Sequence, residues 1–366
     1  MNFELQDYNN CPANLANSIL RHYGMPTCHG TLPLADAALE TRTKNVVVLL
    51  LDGMGVQVMR DNLMETGFLR RHMIGSYSSV FPPTTTAATI SLTSGLYPNE
   101  HCWLGWDCYF EEIDETVTIF RNTKPGTGEP AAEFDVARTY CPFPEVTETL
   151  RGAGIAAYYL SPHTYPNCDT FDALCDTTAA LCEGDGEKYI YCYWYEPDST
   201  MHDAGCSSKE SREMLRALEA RIEQLCCRLR DTIVFITADH GHINTRSVYF
   251  PDYPELFDCL VRTPSIESRA LNLFVREEKR AFFAHRFRET FGDSYKLLSK
   301  QEVIASRLFG PGKDRDRFAR MLGDFLAVAV GDLTILKSHK SSRFLSVHGG
   351  MTAAEMEIPL ICVPCV

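Results

Sequence analysis

The hydrophobic residues of the chain are concentrated in uninterrupted runs that predict buried strands. Four such runs occupy residues 45–51, 155–160, 189–195 and 232–237. Their apolar residues are continuous rather than alternating with polar ones, which is typical of strands covered on both faces in a parallel sheet. A fifth run, at residues 358–363, predicts another strand near the C-terminus.

Helical patterns lie between these runs, at residues 56–71, 144–153 and 209–229. The last is the clearest, because its charged and apolar residues recur at the spacing of a helix with one buried face. Strands that alternate with helices predict a mostly parallel sheet with helices on both faces. The expected fold class is therefore α/β.

Two segments depart from this alternation. Residues 106–122 alternate between polar and apolar side chains like an antiparallel hairpin, and a loop rich in glycine and proline follows them. Residues 265–340 contain a strand-like ALNLFV and a helical EKRAFFAHRFRETFG. We therefore predict a catalytic core formed by residues 1–264 and 341–366, with a smaller inserted α/β subdomain at residues 265–340.

The composition fits a folded protein and limits its partners. Hydrophobic residues make up 45% and charged residues 23% of the 366 positions, which is ordinary for a globular chain. The 48 acidic side chains exceed the 35 Lys and Arg, so the formal net charge is −13. Because the sequence contains no basic run, we do not expect binding of duplex nucleic acid, whereas a single small nucleotide stays open as a substrate.

Fifteen cysteines are scattered along the chain. The sequence has no secretory signal pattern and no apolar run of the roughly 18–20 residues that span a bilayer. Cys226 and Cys227 are adjacent, which does not fit a CxxC zinc or redox motif. We therefore predict a cytoplasmic protein without a membrane association, whose thiols are reduced.

Acidic and histidine side chains follow three of the predicted strands. Asp52 comes directly after the first run, Asp198 shortly after the third, and Asp239-His240 after the fourth. The carboxyl ends of parallel strands meet at one edge of a sheet, where the ligands of open α/β folds collect. A single aspartate at such a position is usually a helix cap or a turn residue. Three carboxylates together repel one another unless a cation lies between them, so the pattern favours a metal site.

The spacing of the histidines supports this hypothesis. Asp198 and His202 are four positions apart, which on a helix puts them on one face, and the pair suits zinc. The alternative is a surface turn with an incidental histidine. Asp239 and His240 are neighbours, so they can converge on a metal ion from a loop but not from a regular strand. We expect His242 to support the site as a structural or hydrogen-bonding residue rather than as a ligand.

A segment rich in hydroxyl groups, at residues 81–95, predicts a helix that begins after Pro-Pro, runs to about Ser94 and ends at Gly95. A hydroxyl at a helix start lies beside free N–H groups that favour anions. A metal ion bound to the same oxygen would make it a nucleophile at neutral pH. Taken alone, however, the segment is better explained by N-capping through Thr84 or Thr85.

Five segments, in order between residues 49 and 360, together resemble the alkaline phosphatase superfamily, specifically its type I phosphodiesterase/nucleotide pyrophosphatase branch. They are LLLDGMG, FPPTTTAATISLTSGLYPNEH, EPDSTMH, TADHGH and HGGMTAAEMEIPL. The resemblance implies an alkaline-phosphatase-like fold. It also implies two divalent metal ions at the carboxyl edge of the sheet, with zinc as the first choice and manganese as the alternative.

Carried over position by position, the resemblance implies two ligand sets and a nucleophile. One metal ion would be bound by Asp198, His202 and His348, and the other by Asp52, Asp239, His240 and the nucleophile Thr85. Thr85 is favoured over its neighbours because it stands ten residues before Gly95, which is the spacing that the family shows. His348 has no distinguishing feature of its own, and only the family pattern around HGG marks it as a ligand.

The sequence departs from this branch at one place. Nucleotide pyrophosphatases of the branch usually carry Phe-Pro-Asn directly after the nucleophile, and that Asn contacts the phosphoryl oxygen. Here the positions are Thr86-Ala87-Ala88. The departure leaves the metal ligands and Thr85 intact, but it puts a nucleotide substrate in question. The sulfatase pattern, with Cys or Ser before x-Pro-x-Arg, is absent.

The predicted function is that of a two-metal hydrolase acting on a small phosphorylated substrate. We expect it to cleave a phosphodiester or nucleotide pyrophosphate bond through a covalent phospho-threonine intermediate. The alternatives on the same scaffold are a phosphomonoesterase, a phosphonate hydrolase and a mutase. A non-catalytic, metal-stabilised binding protein is the alternative of another class. The oligomeric state stays open.

Overall fold

The computed structural model describes residues 6–164 and 168–366. Residues 1–5, on which the predicted lack of a secretory signal partly depends, lie outside the described residues. The described strands are, in chain order, β1 Asn45–Leu51, β2 Met73–Ser78, β3 Asp107–Phe110, β4 Glu115–Thr118, β5 Ala156–Leu160, β6 Lys188–Trp194, β7 Thr232–Thr237, β8 Ile243–Asn244, β9 Arg246–Tyr249, β10 Ser265–Ile266, β11 Ala270–Leu273, β12 Tyr295–Ser299, β13 Phe325–Ala329, β14 Leu333–Leu336, β15 Ser346–Val347 and β16 Glu357–Cys365.

The α-helices of the same residues vary from single turns to the long helix α11. They are α1 Pro12–His22, α2 Pro33–Leu39, α3 Val56–Asn62, α4 Phe68–Arg71, α5 Thr85–Ser94, α6 Pro98–His101, α7 Val136–Tyr140, α8 Val146–Gly152, α9 Phe171–Glu183, α10 Asp198–Ala204, α11 Lys209–Arg228, α12 Pro254–Phe257, α13 Arg280–Phe291, α14 Lys300–Ala305, α15 Phe318–Met321 and α16 Ala353–Met356. No helix in the described part of the chain combines the length and the apolar composition needed to cross a membrane.

The central sheet has the strand order β2-β16-β7-β1-β6-β5. The strands β7, β1, β6 and β5 are parallel, whereas β16 runs antiparallel to both β7 and β2. Every residue of β1 and β7 is buried, as their continuous apolar runs predict. The predicted α/β class with a mostly parallel sheet is confirmed. The fifth apolar run forms β16 and enters the sheet in the antiparallel direction.

Helices flank this sheet, and one of the predicted helices is divided in two. The amphipathic pattern at residues 209–229 forms α11, whose apolar face is buried in the core against the sheet. The pattern at residues 56–71 forms α3 and α4 instead of one helix. The chain is extended at Leu63, and the carboxylate of Glu219 accepts a hydrogen bond at 3.0 Å from the N–H of Leu69 in α4. Because this carboxylate comes from α11, local periodicity could not show the break.

A second, antiparallel sheet has the order β12-β13-β11-β10-β3-β4. Its strands β3 and β4 form the hairpin predicted at residues 106–122, with Asp107 opposite Thr118. The other strands of this sheet lie between residues 265 and 329, so the sheet extends across the predicted boundary at residue 265. The division into a catalytic core and an inserted subdomain stays a prediction.

The strands that precede the predicted site end at the same edge of the central sheet. Leu51 of β1 lies opposite Trp194 of β6, and Leu50 lies opposite Thr237 of β7. The residues that follow these three strands therefore leave the sheet side by side. This arrangement is the structural basis of the site.

The helix α5 brings the hydroxyl-rich segment to this edge. It runs from Thr85 to Ser94, and Gly95 ends it in the left-handed conformation, with φ 75°. The backbone carbonyl of Gly95 accepts a hydrogen bond at 2.9 Å from the side chain of Asn17 in α1. Both ends of the helix thus lie where the sequence predicted them, and its N-terminus faces the end of β1.

Candidate metal centre

Asp52 links the end of β1 to the start of α10. It is buried, its N–H donates to the carbonyl of Trp194 at 2.9 Å, and its own carbonyl accepts from the N–H of Asp198 at 3.0 Å. The two aspartates are therefore held beside each other by backbone hydrogen bonds. Burial, and then the charge of Asp198, raise the pKa of Asp52 well above its ordinary value.

Asp239 lies two positions after the end of β7. Only one of its two carboxylate oxygens accepts hydrogen bonds. Its Oδ1 accepts hydrogen bonds from the N–H groups of Gly53 at 3.1 Å and His240 at 3.0 Å. Its Oδ2 is buried, has no hydrogen-bond partner among the described residues and lies 3.6 Å from Nε2 of His240. Burial, followed by the charge of Asp52, raises the pKa of Asp239 well above its ordinary value. An unpartnered buried carboxylate oxygen is the kind of group that a cation stabilises.

Thr85 places its hydroxyl against this group of side chains. The Oγ1 atom lies 3.4 Å from both carboxylate oxygens of Asp52 and 3.3 Å from Nε2 of His240. The neighbouring threonines have other environments. Thr84 donates its hydroxyl hydrogen bond to Glu267 at 2.7 Å, and the hydroxyl of Thr86 is buried without a partner among the described residues. Thr84 is the N-cap residue of α5 by position, but its side chain makes no capping hydrogen bond.

A second group of donors surrounds Asp198. His202 lies one turn further along α10, with its Nε2 3.4 Å from Oδ2 of Asp198. The Nε2 atom of His348, which follows β15, lies 3.7 Å from Oδ1. His242 also reaches this oxygen, at 2.5 Å. The ligand atoms of these four residues all lie within 4.8 Å of one another.

Backbone carbonyls orient three of the histidines. The Nδ1 atoms of His202, His240 and His348 lie 2.8–3.0 Å from the carbonyl oxygens of Ser346, Gly241 and Pro83 respectively. A carbonyl oxygen only accepts, so each Nδ1 carries the proton and each Nε2 presents a lone pair to the site. This is the usual arrangement of histidines that bind metals.

The two groups of donors adjoin each other. The rings of His240 and His348 are stacked, with centroids 3.7 Å apart. One ligand atom each from Asp52, Asp198 and His240 also lie within 4.8 Å of one another, so Asp198 belongs to both groups. Carboxylate oxygens and imidazole nitrogens are the donors that zinc takes in proteins. The donor set and the unpartnered oxygen of Asp239 therefore fit divalent cations.

Every residue that the sequence predicted for the site lies in this region, and the structure adds others. Tyr193 of β6 donates a hydrogen bond to Oδ2 of Asp52 at 2.5 Å, and Glu267 accepts hydrogen bonds from Thr84 and from the N–H of Trp106 at 2.8 Å. Tyr193 lies in an apolar strand sequence that does not distinguish it from core tyrosines. Glu267 is distant in sequence, and no motif marks it.

Comparisons with known proteins were made for both the sequence and the fold. A family model described as "Type I phosphodiesterase / nucleotide pyrophosphatase" matches residues 46–351. No curated protein sequence matches the chain.

Solved structures share the fold. Murine ectonucleotide pyrophosphatase / phosphodiesterase 5 has a TM-score of 0.64 at 16% sequence identity, covering 86% of this chain and 87% of that chain. An inactive form of the murine protein, in complex with AMP, has a TM-score of 0.62 with the same identity and coverage. Phosphonoacetate hydrolase from Sinorhizobium meliloti 1021, in complex with phosphonoacetate, has a TM-score of 0.64 at 13% identity, covering 88% of this chain and 90% of that chain.

Proposed function

Because the chain belongs to the type I phosphodiesterase/nucleotide pyrophosphatase family, we propose that it hydrolyses phosphodiester or nucleotide pyrophosphate bonds with Thr85 as the nucleophile. The family and the shared fold support hydrolysis of phosphate esters as the reaction class. The proposal adds the covalent intermediate on Thr85, the preference for a diester and the use of two divalent cations, with zinc as the first choice.

The position of the Thr85 hydroxyl is the observation on which the proposal rests. It lies at the N-terminus of α5, against Asp52 and His240, and beside the second group of donors around Asp198. The first turn of α5 offers free backbone N–H groups and the positive end of the helix dipole, which favour a phosphate group. A phosphate group bound there would lie next to the hydroxyl of Thr85.

The carboxylates of the site also explain why cations are needed. Asp52, Asp198 and Asp239 are close together, and none of them forms an ion pair with Lys or Arg among the described residues. Without positive charge they would repel an anionic substrate. Bound at these donors, divalent cations would neutralise the phosphate charge and lower the pKa of the Thr85 hydroxyl.

The reaction proceeds in two displacements. In the first, Oγ1 of Thr85 forms a bond to phosphorus, and the bond from phosphorus to the leaving oxygen breaks. The leaving oxygen departs with the bonding electron pair and takes a proton from water. The hydroxyl proton of Thr85 is released to solvent, since a cation held by Asp52 and His240 would lower the pKa of this hydroxyl. Thr85 now carries the phosphoryl group, still esterified with the second alcohol when the substrate is a diester.

In the second displacement, water replaces Thr85 on phosphorus. A new bond forms from the water oxygen to phosphorus, one proton of this water is released to solvent, and the bond from phosphorus to Oγ1 breaks. Oγ1 of Thr85 takes up a proton from solvent, and the products are a phosphate monoester and the free enzyme. Tyr193 holds Asp52 in place throughout, through its 2.5 Å hydrogen bond to Oδ2.

The residues after the nucleophile bear on the choice of substrate. Ala87 and Ala88 are fully buried in α5 and have no polar side-chain atoms. They therefore cannot replace the asparagine that contacts the phosphoryl oxygen in nucleotide pyrophosphatases. We accordingly propose the diester as the substrate class and leave the nucleoside moiety to experiment.

A comparison of rates tests the proposal. Metal-free protein is reconstituted with zinc or manganese and assayed on bis(p-nitrophenyl) phosphate, p-nitrophenyl phosphate, a dinucleotide and phosphonoacetate. We expect metal-dependent turnover, fastest on a diester. Turnover confined to the monoester or to phosphonoacetate would contradict the proposed substrate class. Metal binding without turnover of any phosphate or phosphonate would favour a non-catalytic binding protein.

A further inference from the structure

His242 lies inside the second group of donors rather than beside it. Its side chain is buried, and Nε2 lies 2.5 Å from Oδ1 of Asp198. Its ring centroid is 4.8 Å from that of His202 and 5.2 Å from that of His348. The imidazole therefore faces the same small volume as the residues that the family pattern marks as ligands.

Two linked hydrogen bonds determine the tautomer of His242. They show which of its ring nitrogens carries the lone pair that points into this volume. Nδ1 lies 3.0 Å from Oγ of Ser346, and this hydroxyl donates its own hydrogen to the carbonyl of Met201 at 2.6 Å. A serine hydroxyl has one hydrogen to donate, so towards His242 it acts as the acceptor. Nδ1 therefore carries the proton of the neutral ring, and Nε2 presents its lone pair to Asp198.

The fold makes room for this imidazole. Gly53, in the turn after β1, has φ 74°, and a β-carbon on it would lie 2.9 Å from Cδ2 of His242 and 3.1 Å from the β-carbon of Asp198. Only a glycine at this position leaves the space that the ring occupies. The location of His242 is thus set from two sides, by Gly53 and by Ser346.

Two electron-pair donors, Nε2 of His242 and Oδ1 of Asp198, approach to 2.5 Å with no other polar group between them. Either a proton shared between the two atoms or a cation beside both of them allows so close an approach. The lone pairs of His202 and His348 converge on the same place, since the ligand atoms of the four residues lie within 4.8 Å of one another. A single divalent cation would accept lone pairs from all four residues, which a proton shared between His242 and Asp198 would not do.

We propose that His242 is a fourth protein ligand, with Asp198, His202 and His348, to the metal ion of this site. The inference rests on the metal centre of the proposed function and extends its ligand set. Three imidazole nitrogens and one carboxylate oxygen match the four protein donors of closed zinc sites. We expect this ion to be held more tightly, at what we call the tight site, than the other ion, whose donors would be two carboxylates, one imidazole and the hydroxyl of Thr85, and we expect a chelator to remove it last.

Competition titrations with a chromogenic chelator measure the affinities of both sites for zinc. We expect His242→Gln to weaken the tight site by more than about 100-fold, beyond the roughly 10–100-fold loss typical of residues that only orient a ligand. His202→Gln should have a similar effect. Ser346→Ala removes only the hydrogen bond to Nδ1. It should weaken zinc binding at the tight site by roughly 10–100-fold. His339→Gln, which changes an exposed histidine paired with Asp252, serves as the control and should not alter either affinity.

The outcomes separate this inference from the proposed function. If His202→Gln weakens the tight site and His242→Gln does not, His242 is not a ligand, and the proposed function stands. If neither variant changes zinc affinity, the metal centre itself is wrong. A structure of the zinc-loaded natural protein checks the inference without relying on variants, because a ligand nitrogen lies about 2.0–2.1 Å from zinc. His242 more than about 3 Å from any zinc ion, with a proton shared between it and Asp198, would overturn the inference.

Discussion

Gly55 and Gly241 lie in direct backbone contact: a β-carbon on Gly55 would be 2.5 Å from the α-carbon of Gly241. Gly55 belongs to the turn after β1, and Gly241 follows His240 in the loop after β7. The N–H of Gly241 also donates to the carbonyl of Glu355 at 2.9 Å. This close approach draws together the loops that carry Asp52 and His240, so the geometry of the proposed metal centre depends on glycine at both positions.

Gly241→Ala should therefore lower metal affinity. Its β-carbon would lie 2.0 Å from the backbone carbonyl oxygen of Ala354, so the loop must move and His240 must move with it. We expect zinc binding, measured by metal analysis after dialysis, to fall from two ions towards one or none. Gly152→Ala is the matched control, because a β-carbon there meets no atom within 4 Å. Equal zinc content in the two variants would contradict the role assigned to the glycine contact.

The loop that carries His348 depends on a buried ion pair between Arg269 and Glu355. Both side chains are fully buried, with hydrogen bonds of 2.6 and 2.8 Å between them. Glu355 also accepts from the N–H of Gly350 at 2.7 Å. Arg269→Met leaves a buried carboxylate unpaired, so we expect the free energy of unfolding to fall by about 3–5 kcal/mol. Urea denaturation measures the change.

The exposed pair Arg246–Asp332 provides the comparison for this variant. Its two ends are largely open to solvent and lie 2.9 Å apart. Arg246→Met should lower the free energy of unfolding far less than Arg269→Met, because solvent screens the exposed pair. A loss at Arg269 as small as the loss at Arg246 would show that the buried pair does not hold the loop.

The contribution of Asp239 to the stability of the metal-free protein should fall as the pH rises from about 4, the ordinary range for a carboxyl group. Burial and the charge of Asp52 raise the pKa of Asp239 in the folded state above that in the unfolded state. The folded protein therefore binds more protons, and the free energy of unfolding decreases until the pH exceeds the folded pKa. Added zinc should remove this loss, since it favours the ionised carboxylate.

Asp239→Asn isolates this contribution. The amide oxygen can still accept from the N–H groups of Gly53 and His240, while the charge is absent. Urea denaturation of metal-free protein across the pH range should show a weaker decline for the variant than for the natural chain. If the free energy of unfolding changes with pH in the same way for both proteins, the pKa of Asp239 is not raised by folding.

The cysteines should be reduced, in line with the predicted cytoplasmic location. All fifteen are free in the structure, and all but Cys28 and Cys227 are buried. Titration of the native protein with a thiol reagent should therefore give a fast reaction at these two residues, absent in the variant Cys28→Ser/Cys227→Ser. The unreduced, denatured chain should expose the remainder. Several native disulfides would contradict the prediction.

The sequence alone predicted those parts of the fold whose structure depends on a single segment. The strands β1 and β7 and the helix α5 lie at the predicted residues, because their apolar runs and the glycine at position 95 act locally. The grouping of Asp52, Asp198 and His240 also followed from sequence, since parallel strands end at a common edge.

The remaining features depend on contacts between distant segments. The break between α3 and α4 is capped by Glu219 from α11, and the second sheet pairs β10 with the remote strand β3. Tyr193 and Glu267 reach the site from elements whose sequences resemble ordinary core and turn. His242 was expected to support the site, and only its distance to Asp198 suggests the role of a ligand.

Alanine variants of the three adjacent threonines show which hydroxyl is the nucleophile. Metal-saturated protein is used, so that loss of a metal ion is not mistaken for loss of the nucleophile. Thr85→Ala should lower turnover by several orders of magnitude, because it removes the attacking oxygen. Thr86→Ala should have little effect on turnover. Thr84→Ala loses the hydrogen bond to Glu267, so we expect about 1.5–3 kcal/mol less stability and only a modest loss of rate.

Trapping the covalent intermediate tests the central claim most directly. Zinc-loaded protein is mixed with bis(p-nitrophenyl) phosphate, quenched in acid within the first turnover, digested and analysed by mass spectrometry. We predict a p-nitrophenyl phosphoryl group on Thr85, and none on Thr84 or Thr86, with zinc content verified in the same sample. If Thr85→Ala with both metal sites filled keeps near-native turnover and no residue carries the adduct, the threonine mechanism is wrong and water attacks the substrate directly.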